Sequence, residues 1–414
     1  MRSLLVGLTL LLTYCWTDFV PLRISVIRPG ELGSFSAKIE DSLAKAVDNL
    51  TRIISVLDYG PRNVNFTSVR KCSKAFQRTR RIRLKEQIGA RSVEKKVSFN
   101  DDFLLRTSNF VLLIENNRKL CNTDTRMMAS ASPCGVDDGM RPLFGVVNVC
   151  PGTRWRPFHG GVDLFRHELL HTLGFGTFLP GSASQRSPNS VTYTWSDTWD
   201  GSSSQPAKRR FLDFATEALK EAKAHLNCPL LAGVEADTAD KIHLDEYIFG
   251  NELMTPILSN VSNRFTFISA AILEETFLGE RPWYRVNRSA IQWEHDSFWY
   301  GRGWGCTFAR RSCLDFIGER TRANRPTFPF CSEIDFRSGR TEFNVIFNNK
   351  LVQKNATCWS RPIVRGDSTD NGIAAYGLSS MRDQIGSPRK WRFCPMAKVV
   401  VDDQFDLPTG AKFL

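Results

Sequence analysis

One nine-residue stretch, HELLHTLGF at 167–175, restricts the fold more than any other part of the chain. His167 and His171 are four residues apart. Each helical residue advances about 100°, so on an α-helix the two imidazoles stand one turn apart on one face. Leu169, Leu170 and Leu173 suit a helix packed in a core, and Gly174 suits the positive-φ turn that ends one. Imidazoles so placed can reach one Zn2+ at about 2.0–2.1 Å each. Glu168, offset by about 100° from His167, sits beside such a metal without binding it and can take a proton from water that the metal acidifies. A working site needs a third protein ligand, so the fold must bury this helix and carry a distant residue back to it.

The metzincin pattern HExxHxxGxxH places the third histidine three residues after the glycine. Here that position is Thr177, a poor zinc ligand, so the third imidazole must come from further along. The remaining histidines are His159, His225, His243 and His295, and composition alone makes each of them more often structural than ligating. His243 stands apart because its segment, KIHLDEYIFGNELMTPI, ends in ELMTP. A methionine in a tight turn soon after the last ligand is the Met-turn of metzincins. Met254 would then form an apolar floor beneath the metal, a shell that controls water access and local dielectric. Taken alone, Met254 reads as a core residue.

HELLHTLGF, a gap of 72 residues from His171 to His243, and then GNELMTP together resemble the leishmanolysin-like (invadolysin-type) zinc metalloendopeptidases of the metzincin clan. RPLFGVVNVCP at 141–151 resembles the strand region before that family's active-site helix, and ETFLGERPWYRVN at 275–287 with WYGRGWGCTF at 299–308 resemble its later elements. The likeness runs from about Leu22, is strongest at 141–308 and thins beyond Phe330. It implies one Zn2+ per chain held by His167, His171 and His243, Glu168 as catalytic general base and Met254 as the Met-turn residue. It also implies polypeptide substrates, cut at internal peptide bonds by metal-activated water. The alternative is a non-catalytic cell-adhesion or binding protein on the same scaffold.

A chain of 414 residues exceeds one ordinary core and suggests two or three domains. PLRISVI at 21–27 alternates like a half-buried strand, and 37–57 has the three- and four-residue apolar steps of an amphipathic helix. NFVLLIE at 109–115 and FGVVNVC at 144–150 read as buried strands. The Ser/Gly/Pro-rich stretch 179–210 reads as an exposed insertion or linker, and 211–226 returns to helical spacing. With the resemblance, the expected class is α+β. Residues 1–17 would be a signal peptide and 18–178 a metzincin-like N-terminal α/β catalytic domain with the active-site helix. A mixed central domain at 179–300 would carry the third histidine and the Met-turn, and 301–414 would be a disulfide-rich, irregular C-terminal domain.

Composition points outside the cell. Arg2 followed by the apolar run Leu4 to Leu12 is too short to span a bilayer and fits a cleaved signal. Ten cysteines beyond Cys15 allow up to five disulfides. Sequons at Asn49, Asn65, Asn260, Asn287 and Asn355 fit a secreted glycoprotein. No later apolar run reaches transmembrane length, and the C-terminus has no lipid-anchor signal. The net charge is +12, and residues 62–96 hold twelve Lys/Arg against Glu86 and Glu94. For a secreted chain that argues against nucleic acid and admits an acidic glycan or cell-surface contact, although most charge runs are solvated faces.

Overall fold

The structure, a computed structural model, describes residues 19–29, 32–57, 73–77, 81–88, 91–98, 108–123, 127–137, 139–177, 190–196, 201–212, 216–237, 242–256, 258, 263–277, 281–332, 340–347, 350–360, 395–399 and 412–413. The segment expected as a signal, 1–17, lies outside them. In chain order the elements begin with β1 (Phe19–Pro21), β2 (Ile24–Pro29), α1 (Ala37–Ile53), β3 (Ile54–Leu57), α2 (Lys74–Gln77), β4 (Arg81–Ile88), β5 (Arg91–Ser98), β6 (Phe110–Glu115), α3 (Arg118–Thr123), β7 (Ala129–Pro133), β8 (Phe144–Val149) and α4 (Gly161–Thr172). They continue with β9 (Ser190–Ser196), β10 (Ser204–Leu212), α5 (Thr216–Leu226), β11 (Val234–Glu235), α6 (Glu246–Phe249), α7 (Phe267–Glu274), β12 (Tyr284–Val286), α8 (Arg288–Ser297), α9 (Gly305–Arg310), α10 (Cys313–Arg322), β13 (Arg340–Phe347), β14 (Lys350–Ser360), β15 (Pro395–Val399) and β16 (Lys412–Phe413). They divide into two compact units, 1–178 with 273–290 and 179–272 with 291–414.

The first unit is built on a six-stranded sheet in the order β5-β4-β2-β6-β8-β7. β2, β6 and β8 run parallel, and the flanking pairs are antiparallel. All six residues of β6 and all six of β8 are buried, as the mostly apolar runs FVLLIE and FGVVNV suit strands covered on both faces; Glu115 and Asn148 are the buried polar members. Strand alternation divides β6 between two layers. Val111 and Leu113 join Ile27, Leu84, Phe144 and Val146 in one cluster. Leu112 and Ile114 point to the other face, where α4 packs against β7, β8 and α1. Cys121 and Cys150 form a disulfide that ties α3 to the end of β8.

Three local expectations change. The helix expected over 37–57 ends at Ile53, because Ile54–Leu57 leaves it as β3 and pairs with β1 and β12. The β-branched pair Ile53–Ile54 continues an apolar period that fits either state, and sheet pairing decides it. β2 is a central strand rather than a half-buried one, closed in by β4 and β6 and buried from Val26 to Pro29. Of the basic stretch, 62–72 lies outside the described residues. Much of the remainder forms the β4–β5 hairpin, whose outer strand exposes Lys95 and Lys96 and so blunts a sheet edge.

In the second unit β11-β10-β9 form an antiparallel sheet. The stretch expected as an exposed insertion therefore carries a hairpin with its own core of Tyr193, Trp195, Ala207 and Phe211. Phe211 and Leu212 end β10 rather than starting the next helix. The open edge of β9 is covered by the α9–α10 junction: the Trp195 indole donates to Arg310 O at 3.0 Å, and Ser196 N donates to the Asp315 carboxylate at 3.0 Å. Asp315 and Ser312 also form the capping box that starts α10. The region after 301, expected to be irregular, contains α9, α10 and a four-stranded sheet in the order β15-β14-β13-β16. Its helices are short and packed through aromatic rather than aliphatic residues, among them Trp304, Phe308, Phe316 and Phe330, so periodicity does not reveal them. Cys228 and Cys306 are bonded, and Cys134, Cys313 and Cys331 are also in disulfides. No helix among the described residues is long and apolar enough to cross a membrane.

His225 is a structural histidine of this unit. Its Nε2–H donates to Tyr300 O at 2.7 Å and its ring stacks on Phe298 at 4.6 Å. Burial lowers its pKa from 6.5 to about 4, against the pull of the Tyr300 carbonyl. The unfolded chain takes up this proton near pH 6.5 and the folded chain only near pH 4, so the stability gained from a neutral His225 is full above pH 6.5 and lost as pH falls toward 4. The loss should be on the order of 3 kcal/mol. Denaturant unfolding of wild type and His225→Gln across pH 7 to 4 should show a flatter profile for the variant; parallel profiles would contradict this role.

Candidate metal centre

The site begins with the seating of α4 on the sheet. A Cβ on Gly145 of β8 would lie 2.3 Å from Thr172 Cβ, so only a hydrogen fits there, and the last turn of α4 lies directly on the strand. At that end the chain makes a Schellman turn. Gly174 adopts φ 103°, Gly174 N donates to His171 O at 3.0 Å and Phe175 N donates to Leu170 O at 3.1 Å. The turn reverses the backbone and sets Phe175 O 3.1 Å from His171 Nδ1. A carbonyl only accepts, so Nδ1 carries the proton and His171 Nε2 presents a lone pair.

That lone pair faces His167. The two Nε2 atoms are 3.1 Å apart, and the rings cross at 80°. Two nitrogens bound tetrahedrally at about 2.0–2.1 Å from one ion would lie roughly 3.3–3.4 Å apart, so this spacing fits metal ligation. His167, Glu168 and His171 are all buried. The helix places Glu168 about 100° around the axis from His167, beside the imidazole pair rather than between its members.

The backbone that leaves His243 is held by three hydrogen bonds. Asp237 N donates to His243 O at 2.9 Å, Leu244 N to Met254 O at 2.9 Å, and Asp245 N to Glu235 O at 3.0 Å. Behind this segment lies a buried ion group. Arg209 bonds the Glu235 carboxylate through Nε and Asp245 through Nη2, the latter at 2.9 Å. Asp245 also caps α6, accepting from Ile248 N at 3.1 Å. Met254 is fully buried, in a turn closed by Thr255 N bonding to Glu252 O at 3.3 Å.

The ligand-capable nitrogens of His167, His171 and His243 all lie within 4.8 Å of one another, with all three side chains buried. Three buried imidazoles this close together are a donor set suited to Zn2+. They form the one such His/Cys/Asp/Glu group among the described residues. His225 is engaged elsewhere, and His295 stacks on Phe267 at 3.9 Å. Thr177 follows the turn, where the short-spaced pattern would put its third histidine.

Sequence reading gives no role to Glu252, which is fully buried and accepts from Met254 N at 2.6 Å. Its signal was available: a carboxylate inside the apolar run IFGNELMTPI has to find donors if it is buried. The Phe175 carbonyl was also missed, because a backbone acceptor leaves no trace in residue identity.

The sequence model of the leishmanolysin family matches residues 106–342. A leishmanolysin-like peptidase of Drosophila melanogaster is 26% identical over 242 residues, which is 50% of this chain and 34% of the relative. One of Caenorhabditis elegans is 24% identical over 266 residues, 56% of this chain and 38% of the relative. The chain thus spans little more than a third of the length of the curated relatives it matches.

Three buried imidazoles predict one bound divalent ion per chain. By competition against a chromophoric chelator, His243→Ala should lower zinc affinity on the order of 100-fold or more. Unchanged affinity in the folded variant would remove His243 from the donor set.

Proposed function

This chain belongs to the leishmanolysin family, and from that premise we propose that it is a secreted zinc-dependent endopeptidase that hydrolyses internal peptide bonds of proteins. The observation that supports this most is the convergence of His167, His171 and His243, of which the third is 72 residues beyond the second in sequence. A Zn2+ ion bound there would supply a Lewis acid that polarises the scissile carbonyl and lowers the pKa of water.

The chain's own residues do the rest. His167 and His171 would hold the ion from one helical face, with the Phe175 carbonyl fixing the orientation and tautomer of His171. His243 would close the donor set, and Met254, which is fully buried, would give the site an apolar floor. Glu168 is the general base: its carboxylate takes a proton from the attacking water and returns it to the leaving amine. Its burial on the ligand-bearing helix keeps it near both transfers without adding a fourth protein ligand. Secretion is supported by the disulfides, which persist in oxidising compartments.

A binding protein on the same scaffold would need no Glu168. Purified protein should therefore cleave casein, and 1,10-phenanthroline should abolish the cleavage. Glu168→Gln should retain zinc and lose turnover by on the order of 10²–10⁴ or more. Zinc-loaded wild type with no chelator-sensitive cleavage would favour the binding protein, and full activity in Glu168→Gln would refute its role as base.

A further inference from the structure

We infer that Glu252 is a positioning residue for the metal centre: its buried carboxylate clamps the Met254 turn, and through that turn it sets the place of His243. Glu252 is fully buried. One carboxylate oxygen accepts from Met254 N at 2.6 Å, and the other accepts from Thr266 N at 3.2 Å and Thr266 Oγ1 at 3.0 Å. The carboxylate thus joins the turn to the start of α7. The backbone reinforces the link, with Leu253 N donating to Arg264 O at 2.8 Å and Arg264 N to Asn251 O at 2.9 Å.

The clamp continues to the third histidine. Met254 O, one peptide unit from the clamped Met254 N, accepts from Leu244 N at 2.9 Å, and Leu244 directly follows His243. At the opposite edge of the same peptide group, His243 O is held by Asp237 N at 2.9 Å. The peptide group that joins His243 to Leu244 is therefore held at both edges, and Glu252 fixes one of the two anchors.

A carboxylate suits this position because all its neighbours donate. It offers two acceptor oxygens with about four lone-pair sites. A glutamine offers one, and its amide nitrogen would face a donor. The arrangement is costly, since burial pushes the Glu252 carboxyl up to about 7 while its hydrogen bonds pull it down. An apolar residue of similar volume would pack the turn without that cost. What it would not do is set the height of Met254 relative to Leu244.

This inference rests on the zinc site proposed above, and the readout is zinc affinity rather than activity. Wild type, Glu252→Gln, His243→Ala and the double variant are titrated with zinc against a chromophoric chelator, at a temperature where circular dichroism shows each one folded. Glu252→Gln should weaken zinc binding by 10- to 100-fold, the range for residues that orient a ligand. In the His243→Ala background the same change should have less than a two-fold effect, because the route through His243 is gone. An equal loss in both backgrounds would make Glu252 merely structural and overturn the inference, as would wild-type affinity in folded Glu252→Gln. If wild type itself binds no zinc, the metal-site reading fails and the inference falls with it. Should Glu252→Gln not fold, Thr266→Val removes one donor and leaves the carboxylate; a several-fold loss of zinc affinity supports the clamp and no loss overturns it.

Discussion

Buried imidazole nitrogens that face one another need something between them. His167 and His171 present Nε2 atoms at 3.1 Å, and a nitrogen of His243 lies within 4.8 Å of both. With His171 Nδ1 committed to the Phe175 carbonyl, its Nε2 can only accept. The His167–His171 gap can hold a shared proton, as Nε2–H···Nε2, or a cation bound by both rings. Much of the architecture around the three rings serves to keep them together.

The means differ for the two contributions. The helical pair is fixed by packing and by a turn: Gly145 lets α4 rest on β8, and Gly174 lets the chain reverse so that a carbonyl meets His171. Both positions tolerate glycine alone, one for want of space and the other for its φ of 103°. The distant histidine is fixed by polar groups instead. Backbone bonds at Asp237, Leu244 and Asp245, the Arg209–Glu235–Asp245 ion group and the Glu252 carboxylate surround its segment. A loop residue has no helical ladder to hold it, so buried hydrogen bonds take over that work.

What the sequence made legible follows from the range of each signal. HELLH and ELMTP are local patterns whose geometry is set by one helix and one turn, so their residues could be named in advance. Strands β6 and β8 were legible because short, mostly apolar runs such as FVLLI and FGVV read as buried strands. The boundary at Ile53–Ile54 was not, since hydrophobic period is shared across it and the partners of β3 lie far away in sequence. The β9–β10 hairpin was hidden by Ser/Gly/Pro-rich flanks that dominate composition while Trp195 and Ala207 form the buried core. Glu252 was hidden because two of its three donors belong to Thr266, whose place beside it is set by the fold and not by local sequence.

The measurement closest to the centre of this account is the position of the metal itself. Anomalous diffraction at the zinc edge, from crystals of the protein grown with zinc, should give a single strong peak per chain. That peak should lie about 2.0–2.1 Å from an imidazole nitrogen of each of His167, His171 and His243. A peak that leaves out His243, or that lies on some other group of residues, would contradict the account.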